Sequence, residues 1–385
     1  MKTAGSDKIR VLGLFALLIA LVILASLVSS RLWGGKPESP AKNVELVFAS
    51  EMTVAQFAKQ NSLEGPVTKK AFGLKQKNDQ AKPIDSFGLS QGQISSRVNK
   101  ALAISAEHGS KNWKKILAKL ILWFVFLSVI FKLLTKGRVN YKNRKWLLAG
   151  SVIVFGVILG ADPSPMGTVK DAIVLFGISR AIFPPRLIAF AVFMASVVIA
   201  NKFICSWGCQ LGTLQDLIFR LNRTQPGKEP AIKQFKVPFV ISNSIRILFF
   251  VLLTLAAFAW ATDIVEKIDP FKIFKPGVIS VAGGIFIGII LITSLFIYRP
   301  WCHFFCPFGL TGWLVEKLSI NKIRVNRKTC ISCNKCSQAC PSTVMGCILN
   351  KDRTIPDCFS CGNCMEVCPT GSISFGREKK TAQTP

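Results

Sequence analysis

Residues 330–341 read CISCNKCSQACP, and residues 358–369 read CFSCGNCMEVCP. Both are Cys-x2-Cys-x2-Cys-x3-Cys-Pro. Two-residue spacers let one short loop turn three thiolates toward the corners of an iron–sulfur cubane, while the fourth cysteine, beyond the loop, reaches the other site. The spacing therefore predicts two [4Fe–4S] clusters, one on Cys330, Cys333, Cys336 and Cys368, the other on Cys358, Cys361, Cys364 and Cys340. Zinc and structural disulfides are the competing readings. Zinc sites rarely use eight cysteines in this pattern, and disulfides do not suit a cytoplasmic location. The pattern predicts a small α+β unit over 321–376 and a disordered tail over 377–385. Cys347 falls outside the pattern and reads as a free thiol.

Upstream the chain changes character. Six apolar runs lie at roughly 10–30, 116–134, 146–162, 187–204, 238–261 and 277–298. A bilayer core of ~30 Å takes about 20 apolar helical residues, so the expectation is a mostly α integral membrane protein with about six transmembrane helices. Residues 1–30 form an N-terminal anchor, 31–113 an external segment and 114–320 the transmembrane core. Lys132, Lys136, Arg138, Lys142, Arg144 and Lys145 crowd one link; Arg220, Arg223, Lys228, Lys233 and Lys236 crowd another. Loops rich in Lys and Arg stay cytoplasmic, which puts both termini and the C-terminal domain inside. Lys111, Lys114, Lys115 and Lys119 run against this rule on the outer side. The stretch 163–186, with DPSPMG and FPPR around 12 apolar residues, is too short to span and is read as interfacial or re-entrant.

Four more cysteines form two pairs, Cys205-Ser-Trp-Gly-Cys209 and Cys302-His-Phe-Phe-Cys306. On a continuous helix the i, i+4 spacing puts both sulfurs of a pair on one face. The surroundings repeat at an offset of 97, with Cys205, Cys209, Gly212 and Leu217 matching Cys302, Cys306, Gly309 and Leu314. The repeat implies a duplicated helix-pair unit whose four thiols, Cys205, Cys209, Cys302 and Cys306, meet at the cytoplasmic membrane face. A further iron–sulfur cluster, copper and a redox dithiol all suit that set. Small buried cysteines that merely pack helices are the plain alternative.

The chain has 385 residues, half of them hydrophobic, and a formal net charge of +29. The positive flanks of membrane spans account for that charge, and no nucleic-acid partner is inferred. Only two histidines occur, His108 and His303, too few for a haem series ligated by His pairs, and no Cys-x-x-Cys-His attaches one covalently. Walker A, GxGxxG and HExxH signatures are absent. Segment 31–113 contains no cysteine and repeats weakly at a period of 30: Val54, Phe57, Lys70, Ala71, Phe72 and Leu74 match Ile84, Phe87, Lys100, Ala101, Leu102 and Ile104. It is read as two small helical hairpins that dock a periplasmic redox partner.

NKFICSWGCQLGTLQD and RPWCHFFCPFGL, followed by the double cysteine run, resemble the membrane-bound polyferredoxin family, which includes NapH-type subunits and the C-terminal half of NosR-type proteins. The resemblance covers about 146–375. It implies a two-cluster bacterial ferredoxin domain on the cytoplasmic side of a bacterial inner membrane, and electron traffic with the quinone pool and redox partners. Gln210 departs from the proline expected after the first pair, whereas Pro307 keeps it; the external segment does not resemble a flavin domain. The implied function is an electron-transfer subunit of a quinone-linked oxidoreductase system, with quinone as substrate. A membrane thiol or copper reductase and a redox-sensing regulator are the alternatives. Asp162, Asp171, Asp263, Glu266, Asp269 and His303 are candidates for proton exchange. The basic face of Lys317, Lys322, Arg324, Arg327 and Lys328 suits an acidic partner or phospholipid.

Overall fold

The structure, a computed structural model, describes residues 4–33, 44–49, 52–74, 76–222 and 230–377. The tail beyond Arg377 and the link residues Arg223 and Lys228 lie outside the described residues.

Helix α1 (Ala4–Trp33) is apolar along most of its length and exposes Leu12, Leu21 and Leu24. After it comes a small unit with its own core. Helices α2 (Val54–Gln60), α3 (Gly65–Phe72) and α4 (Gln91–Ser110) bury Val54, Phe57, Phe72, Ile84 and Val98 together. The period of 30 has a structural counterpart here. The Val54 amide donates to Lys82 O and the Ile84 amide donates to Met52 O, both at 3.1 Å, and Thr53 pairs with Pro83. Equivalent positions thus exchange equivalent bonds, as in a local two-fold. The expected pair of matching hairpins differs in detail: the second copy opens with a 3-10 turn at Ile84–Phe87 and continues into the 20-residue α4. Arg186 anchors the end of α4 to the main body through Glu107 at 2.9 Å, and the rings of His108 and Phe183 meet at 5.3 Å.

Helix α5 (Trp113–Thr135) is the second long apolar helix. Helix α6 (Tyr141–Ser151) runs directly into a π-helix at Val152–Ile158. Helix α7 (Pro165–Ser179) occupies the stretch read as interfacial or re-entrant and packs Gly177 onto Ala257 so closely that an added Cβ would sit 2.8 Å from the Ala257 carbonyl oxygen. Helix α8 (Pro184–Ala200) leads into two short helices, α9 (Phe203–Trp207) and α10 (Gln210–Leu221). Helices α11 (Phe239–Ala259) and α12 (Val281–Thr293) lead into a second short pair, α13 (Pro300–Phe304) and α14 (Pro307–Val315).

Three described helices, α1, α5 and α11, are long and apolar enough to cross a membrane; α8 and α12 are apolar but shorter. The expected count of six is therefore narrowed to three at full spanning length. The cause is local. Asn201 adopts φ 60°, ψ −155°, which stops α8, and Ser280 caps α12 three residues into its apolar run by accepting from the Gly283 amide at 3.2 Å.

At the C-terminus, strands β1 (Lys322–Val325) and β2 (Ile373–Gly376) pair antiparallel with Ile323 opposite Phe375. They enclose helices α15 (Lys335–Ala339), α16 (Val344–Asn350) and α17 (Asn363–Glu366). Phe375 stacks on Phe203 and meets Phe131 of α5 edge-on, so this domain shares a continuous core with the helices.

Candidate iron–sulfur centres

The two cysteine loops share a backbone. Ser332 and Asn334 in the first, and Ser360 and Gly362 in the second, all have φ between 49° and 81°. Alternating left-handed residues curl a loop so that its side chains and amides face one point. Asn and Gly tolerate that conformation best, and each of these two starts a short helix.

Cys340, which follows the first loop, lines one cavity with Cys358, Cys361 and Cys364 of the second. Cys336 lies near Cys368 and Cys330, and also near Cys364. Burial pushes the thiols of Cys340, Cys358 and Cys364 up. Among the described residues no three His, Cys, Asp or Glu side chains close on a single-ion position. Cys347 lies half-buried on α16, outside both sets.

The second loop is fastened to the helices by polar contacts that sequence reading did not anticipate. Asp357 pairs with Lys202 and, at 2.8 Å, with Arg246. Burial alone would raise its carboxyl, but these two cations hold it down to about 2. Arg144 binds Asn363 and Glu366, and Arg220 donates to Asn363 at 3.1 Å. The Arg299 guanidinium lies over the rings of Tyr298 and Phe359 at 5.2 and 4.9 Å. Trp207, inside the first membrane pair, donates its Nε1–H to Ser360 O at 3.3 Å. One signal was available: Lys202 and Arg299 also match at the offset of 97.

The four membrane cysteines are all buried, and the structure brings them together. Cys205 interacts with Cys209 and Cys306, and Cys302 with Cys306, Cys209 and Cys205. One expectation needs correction. The pairs do not lie on continuous helices: α9 ends at Gly208 and α13 at Phe305, and Cys209 and Cys306 are extended residues that begin α10 and α14. Trp123, near the midpoint of α5, donates to Gly208 O at 2.8 Å, and Gln210 reaches Ala161 O, beyond the π-helix, at 2.5 Å. The chain turns back into the helix bundle after Lys202, and Gly208, next to Cys209, lies beside the middle of α5.

That turn explains the matched glycines. A Cβ on Gly212 would lie 2.6 Å from Cys205 O, and one on Gly309 2.7 Å from Cys302 O. Each carbonyl also takes an arginine: Arg299 donates to Cys205 O at 2.6 Å and Arg246 to Cys302 O at 3.4 Å. Lys202 crosses to Gly309 O at 2.6 Å. The N-termini of α10 and α14, with their partial positive charge, thus meet at the thiols inside a shell of buried cations.

The proton-exchange candidates have structural partners. Asp162 pairs with Lys275 at 2.6 Å, Asp171 and Asp263 with Lys170, and Asp269 accepts from the Phe271 amide. Lys119, one of the outer lysines, is buried and donates to Gly160 O at 2.7 Å. His303 lies 3.8 Å from Asp357.

Residues 322–369 match the 4Fe-4S dicluster domain family, and residues 182–228 and 279–326 each match the 4Fe-4S binding domain family. The latter two segments are the halves of the duplicated unit. The chain is 30% identical over 205 residues to the putative electron transport protein YccM of Escherichia coli, covering 51% of this chain and 57% of the relative. It is 24% identical over 210 residues to the methylamine utilization ferredoxin-type protein MauN of Methylorubrum extorquens, covering 51% and 66%. It thus spans between about half and two thirds of the curated relatives it matches. No solved structure matches it. These matches identify 4Fe–4S binding segments over 182–228 and 279–369 and support a polyferredoxin-like 4Fe–4S family for the chain.

Proposed function

We propose that the chain is a multi-pass inner-membrane electron-transfer subunit that exchanges electrons between a redox partner and the quinone pool. In this reading Cys330, Cys333, Cys336 and Cys368 hold one [4Fe–4S] cluster, and Cys340, Cys358, Cys361 and Cys364 hold another. Cys205, Cys209, Cys302 and Cys306 hold a third iron–sulfur group. Such groups supply one-electron transfer. The observation that carries the reading is the cavity in which Cys340 joins the three cysteines of the second loop.

The protein's own residues supply position and screening. The ion pairs of Asp357 and the Trp207–Ser360 bond set the second loop against the membrane cysteines. Buried Arg299, Arg246 and Lys202 offset the negative charge that four thiolates bring into an apolar interior. A site beside the middle of α5 stands at a depth that a lipid-soluble carrier reaches, which supports the quinone pool as the other end. The shorter helices α6, α8 and α12 complete six spans in this reading, and the basic links support a cytoplasmic ferredoxin domain.

The test is an iron count with reduced-state EPR on anaerobically purified full-length protein. Cys368→Ala should remove the signal of the first-loop cluster and leave that of the second. A variant lacking all eight ferredoxin cysteines should retain iron that any single Cys→Ser change at 205, 209, 302 or 306 removes. Iron near zero in that variant, with the protein folded, would eliminate the third cluster and leave the thiol or copper reading.

A further inference from the structure

The C-terminal domain carries its charge unevenly. Residues 321–377 hold eight Lys and Arg and three acids. Two of the acids are withdrawn: Asp357 into its pairs with Lys202 and Arg246, and Glu366 onto Arg144 and the Tyr141 amide. Asp352 is the one exposed acid left in this stretch. The cations Arg327, Lys328, Lys335, Lys351 and Arg353 are all exposed.

Their placement follows the cysteines. Residues 331–335 are exposed throughout, including Cys333, and Ile331 is 64% exposed at the tip. Arg327 donates to Ile348 O at 2.8 Å, which brings the end of α16, and with it Lys351 and Arg353, beside the approach to this loop. The second loop offers no such access, because Phe359, Ser360 and Cys364 are buried against the helices. A macromolecule therefore reaches a sulfur set of this domain at the Cys333 turn, and there it meets an apolar residue rimmed by positive charge.

We propose that this face docks an acidic one-electron carrier protein, with Ile331 at the centre and Arg327, Lys328, Lys335, Lys351 and Arg353 as the rim. The inference rests on the cluster reading of Cys330, Cys333, Cys336 and Cys368. One electron crosses the contact in either direction, and no bond forms or breaks. An apolar centre with a charged rim is the usual anatomy of a docking patch, and charge of one sign steers an oppositely charged partner to it. Anionic lipid is the other partner that such charge attracts. The protein partner is favoured because the cations ring the sulfur-bearing turn, while the domain is already held to the helices by buried ion pairs and by the Phe131 and Phe203 contacts.

The test uses full-length protein in uncharged-lipid nanodiscs under anaerobic conditions, with flavodoxin as the acidic probe. Wild type is compared with Lys328→Glu/Lys335→Glu/Arg353→Glu after iron content and EPR have been matched. Wild-type protein without iron would sink the cluster reading, whatever the docking result. Given iron, binding of oxidised flavodoxin at low ionic strength should weaken about ten-fold or more in the variant. Added salt should weaken wild-type binding far more than variant binding. The rate of reduction by reduced flavodoxin should fall in parallel, while reduction by uncharged reduced riboflavin stays the same. Salt-insensitive binding, or equal binding by both proteins, overturns the proposal. So does a variant that loses binding to anionic phosphatidylglycerol vesicles while keeping flavodoxin.

Discussion

The two ferredoxin loops have the same spacing and the same turn geometry, yet one faces solvent and the other is buried. Position by position, at an offset of 28 residues, the difference lies in the residues beside and between the cysteines. Thr329 is replaced by Asp357, Ile331 by Phe359, Asn334 by Gly362, Lys335 by Asn363 and Gln338 by Glu366. Every second-loop residue in that series touches the membrane helices or their flanks: Asp357 on Lys202 and Arg246, Phe359 on Arg299, Gly362 against Leu134, Asn363 on Arg144 and Arg220, Glu366 on Arg144. Their first-loop counterparts are all exposed. The cysteines give the loops a shared geometry, and the residues between them decide which loop is anchored and which is presented.

The comparison breaks most sharply at Asp357. Asp357→Asn leaves Lys202 and Arg246 buried without a counter-charge and should cost about 3–5 kcal/mol, read as earlier thermal release and faster proteolysis of the C-terminal domain. Thr329→Ala, at the matching position, should change neither measurement appreciably; equal effects would contradict the assignment of anchored and free loops.

A smaller difference is expected at the turn residues. Gly362 has φ 81°, and a Cβ there would meet Leu134 at 2.8 Å. Gly362→Ala combines left-handed strain with overpacking and should lose about 2–3 kcal/mol. Asn334→Ala meets the strain alone and should lose about 1 kcal/mol. Paired thermal melts of the two variants measure the gap.

The smallest expected stability effect, and the one that sharpens the link to the membrane cysteines, is at Trp207. Trp207→Phe removes the bond to Ser360 O at a cost of about 1 kcal/mol. Iron content should remain unchanged, while electron exchange between the ferredoxin domain and the membrane cysteines slows in rapid-mixing experiments. Phe304→Leu, at the matching position of the second pair, should leave that rate unaltered.

Much of this was legible in the chain. The two ferredoxin motifs and the repeat that carries Cys205 and Cys302 are written as local spacings. Coordination and close helix approach demand particular residues at particular intervals, as Gly212 and Gly309 show. Apolar runs marked α1, α5 and α11 because lipid-length helices need no distant partner to be recognised.

The packing of the four-cysteine site against the middle of α5 was not legible. It depends on Trp123 meeting Gly208, 85 residues away. The break between α9 and α10 also hid in a spacing that suits a continuous helix equally well. The fate of each ferredoxin loop was decided the same way, by Lys202 reaching Asp357 across 155 residues. A sequence by itself determines which groups can bind a cluster and how a segment coils, because those choices are made over a few bonds. Burial and charge pairing are made by side chains far apart along the chain, and only the tertiary structure decides them.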